Sequence, residues 1–297
     1  IGMGKIVRSS GKFVTSMNLS LEPGPQDWAH LQSLYAADRL ILSDAARTNV
    51  ARAHGFLMEV VASGKTVYGV NKGFGQPANV RVGAHQLHQL QENILRSHAA
   101  GLGEPLPPEI VRWMLLFKVC GLIRGHSGVQ PQTVDRLVDF FNEGLMPVVP
   151  RQGSLGASGD LAPLSHMCLP LMGEGELMQQ DAKGQWRTRP AADIHQEKGW
   201  SPIDLGPKEG LALINGTQMM SALLAHSLQH LEHLWTEAHG IASLSLAAFE
   251  GLGAPFHPAV HDLRQHAGQQ ASAGEMRRWL AGAAFWRETH DWVQDPC

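Results

Sequence analysis

Residues 153–164 read Gly-Ser-Leu-Gly-Ala-Ser-Gly-Asp-Leu-Ala-Pro-Leu, and the three at the centre, Ala157-Ser158-Gly159, can turn a backbone into an electrophile. If the amide nitrogen of Gly159 attacks the carbonyl of Ala157, a five-membered ring closes. Loss of two waters, one carrying away the Ser158 hydroxyl, leaves a methylidene-imidazolone with an electron-poor alkene. Each residue type has a reason. Glycine lets the nitrogen approach without a Cβ in the way, alanine keeps the attacked carbonyl uncrowded, and serine supplies the departing oxygen. No ordinary side chain is electrophilic, so a protein that needs such a group borrows a cofactor or builds one. Three small residues in a row also occur simply as a turn. Asp160 follows the tripeptide directly and is placed to assist ring closure; its alternative is the N-cap of a helix begun by Leu161-Ala162-Pro163.

Further segments decide between these readings. Tyr68-Gly69-Val70-Asn71-Lys72-Gly73-Phe74-Gly75, Ser97-His98-Ala99-Ala100-Gly101, Arg124-Gly125-His126-Ser127-Gly128 and Leu213-Ile214-Asn215-Gly216-Thr217 follow one another along the chain, then Arg264-Gln265-His266-Ala267-Gly268-Gln269 and Val293-Gln294-Asp295-Pro296. With the tripeptide segment, and in this order, they resemble the histidine/phenylalanine ammonia-lyase family. The resemblance runs from about Met17 to the last residue. It implies a mainly α fold, an L-aspartase/fumarase-like helical bundle with a loop-rich N-terminal domain. It implies the 4-methylidene-imidazole-5-one formed autocatalytically from Ala157, Ser158 and Gly159, an amino acid substrate, and a homotetramer whose active sites draw on several subunits.

The family's residue roles carry over position by position. Tyr68, one of two tyrosines with Tyr35, matches the catalytic base; a phenol with a pKa of ~10 has to be lowered for that task, and helix N-termini converging on the site would favour its anion. Asn215 matches a partner of the prosthetic ring and substrate, or else caps the helix after it, a task Thr217 can fill. Gln294 matches an active-site glutamine. Ser97-His98 speaks to substrate: the family has Ser-His in histidine lyases, His-Leu in many tyrosine lyases and Phe-Leu in many phenylalanine lyases. An imidazole can hydrogen-bond another imidazole where leucine cannot. The pair favours L-histidine, deaminated to urocanate; a phenylalanine or tyrosine lyase or aminomutase, and a non-catalytic relative, are the alternatives. The bond-making order, substrate amine or aromatic ring adding to the alkene, stays open.

Composition narrows the classes. A hydrophobic fraction of 43% is enough for a substantial core, and a net charge of -3 gives no bias toward polyanions such as nucleic acid. No apolar run reaches membrane-spanning length, and no secretory signal opens the chain. Cys120, Cys168 and Cys297 are too scattered for a disulfide framework or zinc knuckle, which fits a cytoplasmic setting. His226, His230 and His233 have helical spacing, but with 16 histidines in the chain such spacing is cheap and no metal site is read there.

The elements that must position this chemistry are helical. Ser43 caps a helix with Val50, Phe56, Leu57, Val60 and Val61 on its apolar stripe, stopping at Gly64. Pro108 and Pro131 open two more, the second with Val134, Leu137, Val138 and Phe141 at i, i+3, i+4 and i+7 and ending at Gly144. Thr217 begins a bundle-length helix through Met220, Leu224, Leu231 and Leu234, interrupted at most by Gly240. Val67 to Val70 and Gln179 to Pro190 are the places for short strands or hairpins. The division reads as residues 1–16, a leader or tag before a natural start at Met17; 17–214, the N-terminal lyase domain; and 215–297, the start of the central bundle. Family chains run on past Gln-Asp-Pro into Tyr-Ser-Leu-Arg-Cys, so Cys297 either stands where a second tyrosine is expected or is the later cysteine with the residues between absent. The arginine for the substrate carboxylate, a C-terminal glutamate and the rest of the bundle are not in this sequence. The chain as given reads as a fragment or a damaged lyase and is expected to turn over L-histidine poorly or not at all.

Overall fold

The computed structural model describes residues 5–7, 13–15, 17–67, 69–70 and 87–283, which leaves Tyr68, Gln294 and Cys297 outside the described residues. Two compact units divide the chain, residues 1–226 and 227–297.

The first unit opens with an antiparallel pair, β1 (Lys5–Val7) and β2 (Phe13–Thr15). β3 (Asn18–Leu21) then runs parallel to β4 (Arg39–Leu42) across α1 (Trp28–Ala36). Ser43 accepts the Ala46 N–H and so starts α2 (Asp44–Ala62), as its sequence requires. Phe56 nevertheless points outward, 67% exposed, while Val50 and Leu57 are buried. Where a strand was expected near Val67, residues 69 and 70 form a turn: Gly69 has φ +75°, and the Val70 N–H bonds back to Val67 O. α3 (Leu87–His98) follows.

β5 (Leu102–Pro105) leads to α4 (Pro108–Leu122), opened by Pro108, where a missing N–H is no loss. Trp113, Met114, Leu115 and Leu116 are consecutive and all buried, so α4 has no wet face there and forms the centre of the core. Tyr35 stacks on Trp113 with ring centroids 4.3 Å apart and donates its hydroxyl to Glu109 O. Burial pushes this phenol upward, the opposite of what a base needs. Pro131 opens α5 (Pro131–Asn142), whose Val134, Leu137, Val138 and Phe141 are buried as the spacing demands.

β6 (Met146–Pro147) and β7 (Pro150–Gln152) precede α6 (Leu161–Cys168). The polar excursion forms a hairpin, β8 (Glu176–Gln180) and β9 (Trp186–Pro190), with β6 on the other edge of β8. α7 (Ala191–Lys198), α8 (Glu209–Ile214) and the first turns of α9 (Gln218–Ala248) complete the unit. Gly240 does not interrupt α9, which runs 31 residues. In the second unit α10 (Pro258–Asp262) and α11 (Ala267–Trp279) follow; Ser243, Ala273 and Met276 are buried there, and Ser243 Oγ donates to Met276 Sδ. Among the described residues no helix is long and apolar enough to cross a membrane.

Candidate active site

Three helices that pack on one another, α3, α6 and α8, carry the segments singled out in the sequence. α3 ends in Ser97-His98, α6 begins immediately after Ala157-Ser158-Gly159-Asp160, and α8 ends at Asn215. The packing of α3 on α8 is close enough to need glycine: a Cβ on Gly210 would lie 2.6 Å from Gln91 O, and the Gly210 N–H donates to Gln91 Oε1 at 3.0 Å.

Buried polar groups hold α8 in place. Glu209 is fully buried and accepts from Gln130 N and Nε2, Thr133 Oγ1 and Gly206 N. Burial pushes its carboxyl above the usual range, against the pull of those donors. From α4, Lys118 Nζ donates to Ala212 O at 3.1 Å. Burial lowers this ammonium to about 8, and lifts the neighbouring Cys168 thiol to about 12.

Asp160 joins the tripeptide segment to the next helix. Its side chain makes no cap bond to its own helix, contrary to the simple N-cap reading. Oδ1 accepts from Ser154 Oγ at 2.7 Å, and Oδ2 accepts the Met220 N–H, in the first turn of α9, at 3.0 Å. Asp160 N–H in turn donates to Gly216 O at 2.7 Å. The carboxylate therefore lies at two helix N-termini, α6 and α9, whose partial positive charge suits it. Asn215, read as a possible cap of α9, instead donates Nδ2 back to Leu211 O at 3.1 Å and closes α8.

Ala157 and Ser158 are exposed, and Gly159 is half-buried with φ +105°. A Cβ on Gly159 would overlap Gly216 O and stand 2.9 Å from Gly216 N. Only glycine fits that cradle, as ring closure through its nitrogen also requires. Ala157, Ser158 and Gly159 thus suit the self-formed ring.

The Ser97–Gly101 segment meets this frame from the other side. β5 pairs with β7 so that Leu102 lies opposite Gln152. A Cβ on Gly153 would be 3.0 Å from Gly101 Cα and 3.3 Å from Ala162 Cβ. His98 Nδ1 lies 2.9 Å from Ile94 O and 3.0 Å from Ser97 Oγ, while Ser97 Oγ itself donates to Ile94 O. A carbonyl only accepts, so Nδ1 carries a proton, which among the two neutral tautomers selects the one with Nε2 as acceptor.

A sequence model of the family described as aromatic amino acid lyase matches residues 27–297. The chain belongs to that family. It is 48% identical over 246 residues to histidine ammonia-lyase of Deinococcus radiodurans, covering 83% of this chain and 46% of that protein. Among solved structures it resembles histidine ammonia-lyase from Trypanosoma cruzi, with TM-score 0.78 and 36% identity over 88% of this chain and 50% of that one. It also resembles ergothionase, an ergothioneine-degrading enzyme from Treponema denticola, with TM-score 0.84 and 28% identity over 94% and 55%. The fold is the ammonia-lyase fold, of the aspartase/fumarase-like helical type. The chain spans about half the length of the curated relatives it matches.

Of the lyase positions expected from sequence, Ser97, His98, Ala157, Ser158, Gly159, Asp160 and Asn215 lie on this connected frame, whereas Tyr68 and Gln294 fall outside the described residues. Sequence reasoning misses two participants. Ser154, inside the motif, orients Asp160. His166 accepts the Gly101 N–H at Nε2, 2.9 Å away. Its only sequence signal is a lone histidine in the mostly apolar Leu161-to-Cys168 helix.

Proposed function

We propose that this chain carries the electrophile-bearing part of a histidine ammonia-lyase site, which eliminates ammonia from L-histidine without oxidation to give urocanate. The observation that supports this most is the seating of the Ser97–Gly101 segment, with its imidazole, on the helix that follows the tripeptide. A ring-reading side chain and an electrophile on one frame suit an aromatic amino acid with a polar ring.

When formed from Ala157, Ser158 and Gly159, the 4-methylidene-imidazole-5-one supplies an electrophilic alkene that makes the amine a better leaving group. The chain's own residues do the rest. His98 presents Nε2 as an acceptor because its Nδ1–H is held by Ile94 O. A substrate imidazole N–H satisfies that acceptor, whereas a phenyl ring leaves it bare, which penalises phenylalanine. Asp160 fixes the end of the tripeptide against Gly216 and the start of α9. In this reading Tyr68 takes the β-proton as the α C–N bond breaks, and Asn215 and Gln294 hold substrate. Two α-helix N-termini beside Asp160 favour negative charge in the same region.

Assembly as a homotetramer belongs to the same proposal. Leu224, Leu231, Leu234, Ile241 and Leu244 are all at least 58% exposed along α9, more apolar surface than a helix facing water carries. A stable, active monomer by light scattering would count against it.

The decisive assay supplies L-histidine, L-phenylalanine and L-tyrosine separately and follows product absorbance. Urocanate from L-histidine is the expected product; cinnamate without urocanate overturns the substrate assignment. Intact mass gives the second arm. A chain lighter by two waters is expected, and an undehydrated chain without turnover favours a non-catalytic relative.

A further inference from the structure

We infer that His166 is a positioning residue: its unprotonated Nε2 latches the Ser97–Gly101 segment onto the helix that follows the tripeptide, and so sets where His98 stands relative to Ala157-Ser158-Gly159. The functional half of this inference rests on the lyase reading above; the latch itself does not.

The chemistry of the bond fixes the state of the ring. A backbone N–H can only donate, so the nitrogen 2.9 Å from Gly101 N must be a bare acceptor, and His166 must be neutral with its proton on Nδ1. The remaining contacts seat the segment closely. A Cβ on Gly101 would be 3.1 Å from His166 Nε2, from Gln152 O and from Pro150 Cβ. Between His98 and Gly101 the chain is a tight turn, closed by Ala100 N–H donating to His98 O at 2.8 Å. Movement of Gly101 is therefore passed on to His98 across only Ala99 and Ala100. Ser165, the neighbouring polar side chain of α6, donates its hydroxyl to Leu161 O within the helix.

Protonation would turn Nε2 into a donor facing a donor. The ring is half-buried, and burial keeps its basicity below the ordinary histidine range. The titratable groups on the elements packed against α6 are His88, Glu92, Arg96 and His98 on α3, Glu209 on α8 and Arg151 on β7, with Lys118 of α4 near Cys168. The downward shift of His166 comes from its burial. The latch should therefore be closed near neutral pH and open in acid.

Hydrogen exchange on the whole protein tests this, read on peptides covering residues 99–106, with a core peptide of α4 as reference for folding. After correction for intrinsic rates, wild-type protection at 99–106 should fall by about tenfold as His166 gains its proton. His166→Gln, whose Oε1 can accept, should keep the protection and lose the pH step. His166→Leu should be unprotected at every pH. Unchanged protection in His166→Leu, with the reference intact, overturns the latch. If that variant loses the reference too, a pH step in wild type that persists in His166→Gln overturns it instead. Kinetically, His166→Leu should raise KM for L-histidine about tenfold with kcat changed far less, and His166→Gln should restore it. An unchanged KM overturns the positioning role. A confirmed latch in a protein that never makes urocanate leaves His166 standing and counts against the lyase reading alone.

Discussion

Replacing Asp160 with alanine removes both acceptors that join the tripeptide segment to α9. Met220 N–H is among the first-turn donors that have no partner inside their own helix, and Asp160 supplies its acceptor from 60 positions away in sequence. Losing a cap of this kind costs about 1 kcal/mol. Stranding a buried donor costs about 1–3 kcal/mol, and the Ser154 hydroxyl loses its acceptor as well. The expected destabilisation of Asp160→Ala is therefore ~3 kcal/mol. Asp160→Asn behaves differently. Its Oδ1 can accept from Met220 while its amide donates to Ser154 Oγ, whose hydroxyl rotates, so only the charge is lost, at about 1 kcal/mol. Urea midpoints for wild type, Asp160→Ala, Asp160→Asn, Ser154→Ala and the Asp160→Asn/Ser154→Ala double variant give the coupling directly. Intact mass on the same samples reads ring closure, and the folded Asp160→Asn chain is expected to retain both waters. The reasoning fails if Asp160→Ala unfolds within about 1 kcal/mol of wild type, or if the asparagine is as damaging as the alanine.

Two further outcomes follow from single sites. Gly159→Ala drives a Cβ into Gly216 O at φ +105°, so it should lower stability by more than about 2 kcal/mol and abolish the dehydration; Gly156→Ala, with open space at φ +75°, is the control and should cost only about 1 kcal/mol by denaturant titration. Lys118 titrates near 8 when folded and near ~10.4 when unfolded. Between those values the unfolded state holds the extra proton, so this lysine's contribution to stability rises with pH. The stability of wild type relative to Lys118→Met should grow by roughly 3 kcal/mol from about pH 8 to about pH 10.4; a difference flat with pH in urea melts would show that the ammonium is not desolvated.

Features governed by local rules are legible in the amino-acid sequence. Ser43, Pro108 and Pro131 stand where their helices start, because a cap or an N1 proline acts within one turn. The hairpin of β8 and β9 shows as a polar excursion for the same reason. Asp160 is legible as a candidate site position but not in its contacts. Before Leu161-Ala162-Pro163 it has the sequence of a local cap, yet its oxygens serve Ser154 and Met220. Nothing in periodicity reports a partner 60 residues on. His166 is illegible for the same cause, since its acceptor nitrogen matters only once β5 has paired with β7. Phe56 falls on an apolar stripe and still points out, because periodicity marks a face and not the neighbour that covers it.

The illegible links share one physical origin. A helix leaves unmatched donors at its start and unmatched carbonyls at its end, and this site is assembled where α3, α6, α8 and α9 begin or end. Groups at and just beyond these ends are matched across segments: Met220 N–H by Asp160, Asp160 N–H by Gly216 O, and Gly101 N–H, just past α3, by His166. Cross-matching of this kind makes each segment's position depend on the next. Gly101, Gly153 and Gly159 then follow as a requirement, since a Cβ at any of them would meet backbone at 3.1 Å or closer. A substitution at any of these glycines should accordingly disturb more than one helix end. On the proposed reading the small residues of the motif are thus needed twice, once for ring closure at Gly159 and again for bringing His98 and Asn215 to the same frame.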